Sequence, residues 1–280
     1  MGDIDRFLDE DLGEAGDITS SAVLRGEKAE GVMVAREDCV VAGLEEACQV
    51  FESLGAVPEI HYADGDAVPK GDAALTAVGG ASAVLSGERL ALNFVMRMSG
   101  IATLTRGIVD SCRAVNPEIK IAATRKTTPG FRAYEKKAVA LGGGVPHRSG
   151  LYDMALVKDN HIVMCGGVKE ALSRLKERPP PAKVEIEVTN LQDALLAAEG
   201  NVDVIMLDNV PPEEGERIAS EARKINPKVE IEASGGITPE SAPKYARWAN
   251  AISLGALTHS YKSIDFSMDI RKVDGSGTPD

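Results

Sequence analysis

Short apolar segments alternate with helical segments along the second half of the chain, from about residue 117. The apolar segments are IKIAAT, MALVK, VEIEV, VDVIMLD, VEIEAS and AISLGAL, and helices such as LQDALLAAEG and EEGERIASEARKI separate the later ones. Strands that alternate with helices over such a length pair in parallel and are joined by helical crossovers. The pattern therefore predicts a parallel α/β domain, which either closes as a barrel or stays open as a doubly wound sheet.

The first half of the chain has a different pattern. An initial helix is followed by KAEGVMVARED, in which apolar and polar positions alternate as in a strand, by CVVAGL, and by a helical stretch at Leu44–Leu54. The segment DGDAVPKGDAAL has the turn residues of a small β module. A helical run over about residues 86–115 follows. We place the domain boundary inside this run, which gives one domain at residues 1–103 and a second at residues 104–259.

Composition and charge exclude several classes of protein. The chain has 280 residues, of which 44% are hydrophobic and 4% aromatic, so it can bury aliphatic cores. The net charge of −12 argues against nucleic acid as the main partner, because phosphate backbones require a basic surface. No apolar run has the length of a membrane span, and the acidic start MGDIDRFLDEDLGEAGD does not resemble a signal peptide. Since the four cysteines form no C-x-x-C pair, we expect a cytoplasmic protein with free thiols.

Nearly every strand of the second half ends in a polar residue. These residues are Arg125, Lys126, Lys158, Glu187, Asp208, Ser234 and Ser253. Strand ends border solvent, which explains some of them, but five charged side chains are more than that explanation requires. In a parallel α/β barrel the carboxyl ends of all strands open on one face, and that face holds the active site. The pattern therefore predicts an active site lined by these residues.

Basic residues are concentrated in one stretch of this acidic chain. Residues 120–160 contain eight lysines or arginines against three acids. A solvated helix face accounts for Lys136 and Lys137, but not for the cations at the strand ends. A concave cationic site in an acidic protein favours small ligands that carry several negative charges. His147 and His161 lie in the same stretch, and we keep only His147 as a candidate site residue.

Two glycine-containing turns and two carboxylates indicate a site for phosphate and sugar. SGGIT at Ser234–Thr238 follows a strand and opens a helix, and SLG at Ser253–Gly255 follows the next strand. Backbone N–H groups in such turns bind phosphate, and late barrel strands often share one phosphate site. Glu187 and Asp208 suit Mg²⁺ or sugar hydroxyls. Alternatively, they are buried acids that neighbouring lysines satisfy.

Two other functions fit single features of the chain. Lys158 at a strand end would suit a Schiff-base aldolase. DGDAVPKGDAAL would suit a carrier module, but no lysine occupies an obvious modification hairpin, and such a module explains nothing after residue 117. The absence of G-x-G-x-x-G after a strand weakens a dinucleotide-binding function.

Several long strings occur in a fixed order along the chain: GERLALNFVMRMSGIAT, ATRKTTPGFRAYEKKAV, GGGVPHRSGLYDMALVKDNHI, EIEVTNLQDA, VDVIMLDN, IEASGGIT and ISLGALTHS. Together they resemble the quinolinate phosphoribosyltransferases, the carboxylating nicotinate-nucleotide pyrophosphorylases. The resemblance extends from GDIT near Asp17 to Ser260, which is nearly the whole chain. The short amino terminus and the run Pro179–Pro181 depart from the family pattern, but neither removes a matched site residue.

The resemblance implies a fold and an activity. The fold is an open α/β sandwich followed by an incomplete parallel α/β barrel, with the end of the chain, about residues 260–280, returning to the first domain. The activity is transfer of a phosphoribosyl group from phosphoribosyl pyrophosphate to quinolinate with decarboxylation, in NAD biosynthesis, with Mg²⁺ as cofactor. The implied assembly is a homodimer or higher oligomer whose site is capped by the partner's first domain. A nicotinate-specific phosphoribosyltransferase, which would need fewer cations, is the main alternative.

The resemblance also implies a role for each matched residue. The quinolinate carboxylates are assigned to Arg125, Lys126, His147, Arg148 and Lys158, with Thr124 in the same cluster and Arg89 entering from the neighbouring subunit. Glu187 and Asp208 match the acids for ribose and for Mg²⁺, which they hold directly or through the substrate. The 5-phosphate turns are Ser234, Gly235 and Gly236, and Ser253, Leu254 and Gly255. The implied catalytic residues are Lys126, Lys158, Glu187 and Asp208.

Overall fold

The computed structural model describes residues 3–273 and divides the chain into two compact units. The first unit contains the described residues up to Leu104 together with those from Tyr261 onward. The second unit contains Thr105–Ser260. The boundary falls inside a 33-residue helix, where the sequence pattern also places it.

The helices are α1 Asp3–Leu12, α2 Ile18–Val23, α3 Leu44–Ser53, α4 Ala81–Arg113, α5 Arg132–Leu141, α6 Asp159–Cys165, α7 Val168–Glu177, α8 Leu191–Glu199, α9 Pro212–Ile225, α10 Ala242–Ala246 and α11 Ala256–His259. The strands are β1 Lys28–Ala35, β2 Cys39–Val40, β3 Val57–Ile60, β4 Ala67–Val68, β5 Ala73–Gly80, β6 Lys120–Ala122, β7 Ala155–Val157, β8 Val184–Val188, β9 Val204–Asp208, β10 Glu230–Ser234, β11 Ala251–Ser253 and β12 Phe266–Val273. Across residues 3–273, no helix is both long enough and apolar enough to cross a lipid bilayer.

An antiparallel sheet in the order β12-β1-β5-β3 organises the first unit. Buried and less buried positions alternate along β1, because one face of the strand lies in the core. Helix α3 packs against β3 and β5 and buries Leu44, Val50 and Phe51 completely. Each such side chain contributes about 1.5–3 kcal/mol through burial. Strand β12 pairs with β1 from Lys28 to Ala35, so the chain returns to this unit near its end.

Six parallel strands form the sheet of the second unit, in the order β7-β8-β9-β10-β11-β6. Each strand from β7 to β11 lies beside the next one in the chain, and the first strand, β6, pairs with the last, β11. A doubly wound sheet would instead reverse its order at a switch point. On the free side of β6, the pairing found among the described residues is an isolated bridge from Ala122 to Val145. The predicted incomplete barrel is therefore confirmed.

Alternation along these strands separates an apolar face from a polar one. Ile186, Ile205 and Ile231 lie side by side in the register of β8, β9 and β10, and all three are fully buried. Successive side chains of a strand point to opposite faces, so Glu185 and Glu187, on either side of Ile186, share the other face. This second face lines the cavities of the unit.

Strands β6 and β7 are shorter than the apolar segments indicate, which moves some predicted polar residues into loops. They are the two edges of the sheet, so each has a full ladder on one side only. Arg125 and Lys126 lie in the loop after β6, and Lys158 follows β7 as the N-cap of α6. The remaining polar residues lie within the last two positions of their strands: Glu187 in β8, Asp208 in β9, Ser234 in β10 and Ser253 in β11.

Gly100 on α4 is expected to tolerate no side chain. A Cβ at this position would lie 2.3 Å from the carbonyl oxygen of Lys262 and 2.9 Å from Cα of Ser263. Because both neighbours are backbone atoms, Gly100→Ala should lower the free energy of unfolding by about 1–3 kcal/mol. Urea denaturation followed by circular dichroism measures the change. Gly107→Ala is the matched control: this glycine lies on the exposed side of the same helix with nothing within 4 Å, and alanine there should stabilise the protein by up to about 1 kcal/mol.

Candidate active site

A cavity of about 540 Å³ opens at the carboxyl ends of the strands of the second unit. It is lined by Ala123, Thr124, Arg125, Lys126, His147, Arg148, Leu156, Lys158, Glu187, Met206, Asp208, Asn209, Glu232, Ser234, Gly235, Gly236 and Ser253. Parallel strands bring their carboxyl ends to one edge, which is why residues from 123 to 253 meet here. The cavity thus collects most of the residues predicted from the strand ends, the cationic stretch and the glycine turns.

Two loops supply most of the positive charge of the cavity. Arg125 and Lys126 belong to the loop after β6, where the N–H of Lys126 donates to Oγ1 of Thr124 at 3.1 Å. The carbonyl of Lys126 accepts a hydrogen bond from Oγ1 of Thr258 at 2.9 Å, which ties the loop to α11. Arg148, in the loop before β7, is 9% exposed. Burial and the nearby Arg125 cation both lower the pKa of Arg148, so the cavity holds like charges close together.

Side chains of helix α5 hold both cationic loops in place through hydrogen bonds. Arg132 donates to Oγ1 of Thr127 in the first loop and to the carbonyl of Ser149 in the second, each at 2.9 Å. Lys136 donates through Nζ to the carbonyl of Pro146. The sequence interpretation of Lys136 as part of a solvated helix face is wrong, since the residue is 5% exposed. Burial, together with the positive charges of nearby arginines, lowers its pKa to about 8.

Lys158 and Glu187 form an ion pair inside the cavity. Nζ of Lys158 lies 2.7 Å from Oε2 of Glu187, and the side chain of Glu187 is 11% exposed. The backbone N–H of Lys158 donates to Nδ1 of His161 at 2.9 Å, so His161 caps the start of α6. The ion pair places one of the predicted acids in contact with one of the predicted cations.

Asp208 lies beside the first glycine turn. It pairs with Ser234 in the register of β9 and β10, and its Oδ2 accepts a hydrogen bond from Nδ2 of Asn209 at 2.6 Å. Gly235 has φ +84°, and a Cβ there would lie 2.6 Å from the backbone nitrogen of Asn209. Glycine at 235 is therefore required both by its left-handed backbone and by this close approach.

The turns differ from the sequence expectation in two respects. SGGIT does not open a helix directly, because residues 239–241 separate it from the short α10. In the second turn, Ser253 lines the cavity with a buried Oγ that has no hydrogen-bond partner among the described residues. The N–H of Leu254 donates to the carbonyl of Ala122, and its side chain is 1% exposed. Leu254 and Gly255 are not among the residues that line this cavity.

Arg89 is the predicted site residue that belongs to the first unit. It belongs to α4 within the first unit, its side chain is exposed, and it does not line the cavity of the second unit. Its assignment to the site of a neighbouring subunit stays a prediction.

Sequence reasoning missed two buried acids that contact His147. Nε2 of His147 lies 3.4 Å from Oε2 of Glu185 and 3.3 Å from Oε2 of Glu232. The signal was present in the period of the strands: VEIEV places Glu185 on the same face as Glu187, and VEIEAS places Glu232 on the same face as Ser234. Asn209 was missed as well, and a lone asparagine after a strand offers no comparable signal.

Lys136→Met tests the burial of this ammonium group. The pKa of Lys136 is about 8 in the folded protein against an ordinary 10.5, so between these values the unfolded chain binds more protons than the folded one. Stability therefore rises with pH through this window. The free energy of unfolding of the wild type relative to Lys136→Met should increase by roughly 1–3 kcal/mol from about pH 7 to about pH 10, measured by urea denaturation. For Lys244→Met, at an exposed position of α10, the difference should change much less; equal changes would contradict the prediction.

Comparison with known proteins identifies the family. Residues 17–99 match the model of the quinolinate phosphoribosyl transferase N-terminal domain, and residues 101–269 match that of the C-terminal domain. The chain is 43% identical over 272 residues to the probable nicotinate-nucleotide pyrophosphorylase [carboxylating] of Methanocaldococcus jannaschii, covering 95% of each chain. It is 41% identical to the nicotinate-nucleotide pyrophosphorylase [carboxylating] of Mycobacterium leprae, again over 95% of each. The crystal structure of NadC from Streptococcus pyogenes superposes with a TM-score of 0.90 at 35% identity, covering 97% of this chain and 96% of the other. The chain belongs to the quinolinate phosphoribosyl transferase family.

Proposed function

We propose that this protein transfers the phosphoribosyl group of phosphoribosyl pyrophosphate to quinolinate, with decarboxylation, and so supplies nicotinate mononucleotide for NAD biosynthesis. The observation that carries the proposal is the charge distribution of the cavity. Five basic side chains, from Arg125, Lys126, His147, Arg148 and Lys158, share it with the carboxylates of Glu187 and Asp208. The name of the family and the word carboxylating in the names of the relatives support quinolinate as the acceptor over the nicotinate alternative.

The cations suit a small dicarboxylate. Each carboxylate of quinolinate accepts charge-assisted hydrogen bonds, which are stronger than neutral ones and are best supplied by arginine and lysine. Nε of Arg125 is buried and has no hydrogen-bond partner among the described residues, so a donor is free for a ligand. Arg148 and Arg125 repel each other, and an anion between them would remove that repulsion.

The turns at Ser234–Gly236 and at Ser253 suit the 5-phosphate of the sugar. Both glycines of the first turn have positive φ, at +84° and +59°, and because glycine has no Cβ the backbone N–H groups there are not covered by side chains of their own. The unpartnered Oγ of Ser253 is available to a phosphate oxygen. Asp208, next to Ser234 in the register, would then accept from a ribose hydroxyl.

Mg²⁺ fits this site as a companion of the substrate. Mg²⁺ prefers oxygen ligands and commonly binds through one or two carboxylates together with substrate phosphates. Glu187 and Asp208 provide two carboxylates at the carboxyl ends of adjacent strands, and Glu187 also accepts from Lys158. We propose that these two acids hold Mg²⁺ together with pyrophosphate. When bound, the ion would neutralise charge on the leaving group.

The reaction forms a bond between C1 of the ribose and the ring nitrogen of quinolinate as the bond to pyrophosphate breaks. Positive charge develops at C1, and nearby carboxylates stabilise it. The bond from C2 of the ring to its carboxylate then breaks: CO₂ leaves, the electron pair stays on the cationic ring, and C2 takes a proton. Fixed cations hold both carboxylates in place, so orientation supplies much of the rate.

We further propose a homodimer in which Arg89 enters the site of the partner subunit. Its support is the family resemblance of GERLALNF, together with the exposed position of Arg89 on α4. A cytoplasmic location is part of the same proposal, and the four cysteines, all free, suit a reducing compartment.

Substrate choice tests the proposed function directly. With phosphoribosyl pyrophosphate and Mg²⁺, the protein should convert quinolinate to nicotinate mononucleotide. The kcat/KM for quinolinate should exceed that for nicotinate at least about a hundredfold, because losing a charged contact costs roughly 2–3 kcal/mol. Chromatography of the nucleotide product measures both rates. Equal use of the two acids would contradict quinolinate as the substrate.

Subunit exchange tests the shared site. Arg89→Ala and Lys158→Ala should each be nearly inactive, since each removes a cation from every site. After exchange, mixed dimers would carry both lesions in one site and none in the other, so about a quarter of wild-type activity should return. The control is Lys158→Ala mixed with Asp208→Ala. Both residues line the cavity of the same unit, so every site of a mixed dimer keeps one lesion and no activity should return.

The activity of Arg89→Ala by itself also tests whether Arg89 belongs to an active site. If this variant keeps full activity, Arg89 is a surface residue of α4. If mixing with Lys158→Ala restores nothing after exchange has been verified by mass spectrometry, Arg89 acts in its own chain and the shared site is wrong.

A further inference from the structure

Three side chains meet at the edge of the cationic cavity, and two of them, Glu185 and Glu232, have no role in the reaction described above. His147 comes from the loop before β7, Glu185 from β8 and Glu232 from β10. Nε2 of His147 lies within 3.4 Å of one carboxylate oxygen of each acid. Glu185 is 0% exposed and Glu232 is 3% exposed. Two carboxylates buried this deeply are costly unless a cation and hydrogen bonds compensate them.

The two acids have few other partners. Both carboxylate oxygens of Glu185 and Oε1 of Glu232 are buried and accept no hydrogen bond of good geometry from the described residues, so Oε2 of Glu185 faces His147 at ion-pair distance. A smaller cavity of about 130 Å³ adjoins the cluster and is lined by all three residues. It is large enough to hold water. Within residues 3–273, His147 lies at ion-pair distance from both acids. His147 and Glu232 line both the smaller cavity and the main one, so the cluster lies where the two cavities adjoin.

The backbone conformation of His147 is unusual, and the two acids change the pKa of its ring. His147 has φ +51°, a left-handed conformation that few residues other than glycine adopt, so the surrounding structure must hold it there. Burial by itself would lower the pKa of the ring, but the hydrogen bonds and charges of Glu185 and Glu232 outweigh it and raise the pKa of His147 to about 9.

We propose that Glu185 and Glu232 are positioning residues that hold His147 as a cation with its Nε2 committed to them. An imidazolium has two N–H donors. With Nε2 directed at the acids, Nδ1 is the ring donor left for a carboxylate in the main cavity. Two buried acids thus complete an anion-binding site by fixing the charge and the orientation of one of its cations. Burial and the charge of Glu232 raise the pKa of Glu185, and the His147 cation opposes that rise. The identity of the ligand rests on the proposed function, whereas the state of the ring in the free protein does not.

The ring is observed directly by ¹⁵N NMR of the ligand-free protein. The chain has four histidines, so the signals of His147 are assigned by their loss in His147→Asn. At about pH 7.5, between the ordinary histidine pKa of 6.5 and the value of about 9, both ring nitrogens should be protonated in the wild type. In the Glu185→Gln, Glu232→Gln double variant the ring should be neutral. Glu230→Gln is the matched control, because Glu230 lies two residues before Glu232 on the same strand and pairs with Lys120 instead.

Ligand affinity separates positioning from a general structural role. Phthalate carries two adjacent carboxylates but no ring nitrogen, so it should bind the main cavity without reacting. Its Kd from titration calorimetry should rise about tenfold in Glu232→Gln, as expected when one charged hydrogen bond is lost, and by less than about twofold in Glu230→Gln. In the His147→Asn background Glu232→Gln should have almost no further effect, because the two changes remove the same interaction. In Glu232→Gln the KM for phosphoribosyl pyrophosphate should stay nearly unchanged.

Several results would overturn the proposal. These are a neutral His147 in the wild type, additive effects of His147→Asn and Glu232→Gln on phthalate binding, or one equivalent of a transition metal in the purified protein with His147 as its ligand. If Glu185→Gln does not fold, Glu232→Gln by itself tests the proposal, because the ¹⁵N signals of the His147 ring in that variant should shift toward those of a neutral ring. If quinolinate were not turned over while His147 remained doubly protonated, the proposed function would fail and the positioning role would stand.

Discussion

Parallel pairing in register is the constraint on which the candidate site depends. The pairing places Asp208 beside Ser234, at the start of the first glycine turn, and Glu187 beside Met206, so both acids lie at the same end of the sheet. The isoleucines on the opposite face stabilise this register, because a slip by one residue would move each of them into the cavity and each acid into the core. The apolar core thereby determines which polar side chains face one another.

Charge in the cavity is balanced over a wider set of residues than those that face a ligand. Arg148 is buried near Arg125, an arrangement that like charges alone would disfavour. Glu187 pairs with Lys158, and Glu185 and Glu232 pair with His147 from below. Each pair offsets part of the cost of gathering cations before a ligand arrives. The net charge of −12 is therefore no guide to the potential inside the cavity.

Loops, and not the strands themselves, present the arginines. Helix α5 fixes them, because Arg132 bonds to both loops and the buried Lys136 donates to the carbonyl of Pro146. Loops that are tied to a helix keep the geometry of the cations, while the strands supply the acids Glu187 and Asp208. The same helix carries the buried Lys136 beside the half-buried Lys137, and no count of charges distinguishes the two.

The sequence by itself determined the class of fold, the parallel strands and the polar character of their ends, because side-chain period and strand–helix alternation are local properties. It also determined the family, through strings such as ATRKTTPG and KDNHI. Tertiary structure alone decided which polar residues meet. Whether Lys136 is solvated, whether SGGIT opens a helix, and which acids contact His147 depend on packing between segments far apart in the chain. Glu185 and Glu187 look alike in VEIEV, and only the neighbouring strands and loops give one of them a histidine and the other a lysine.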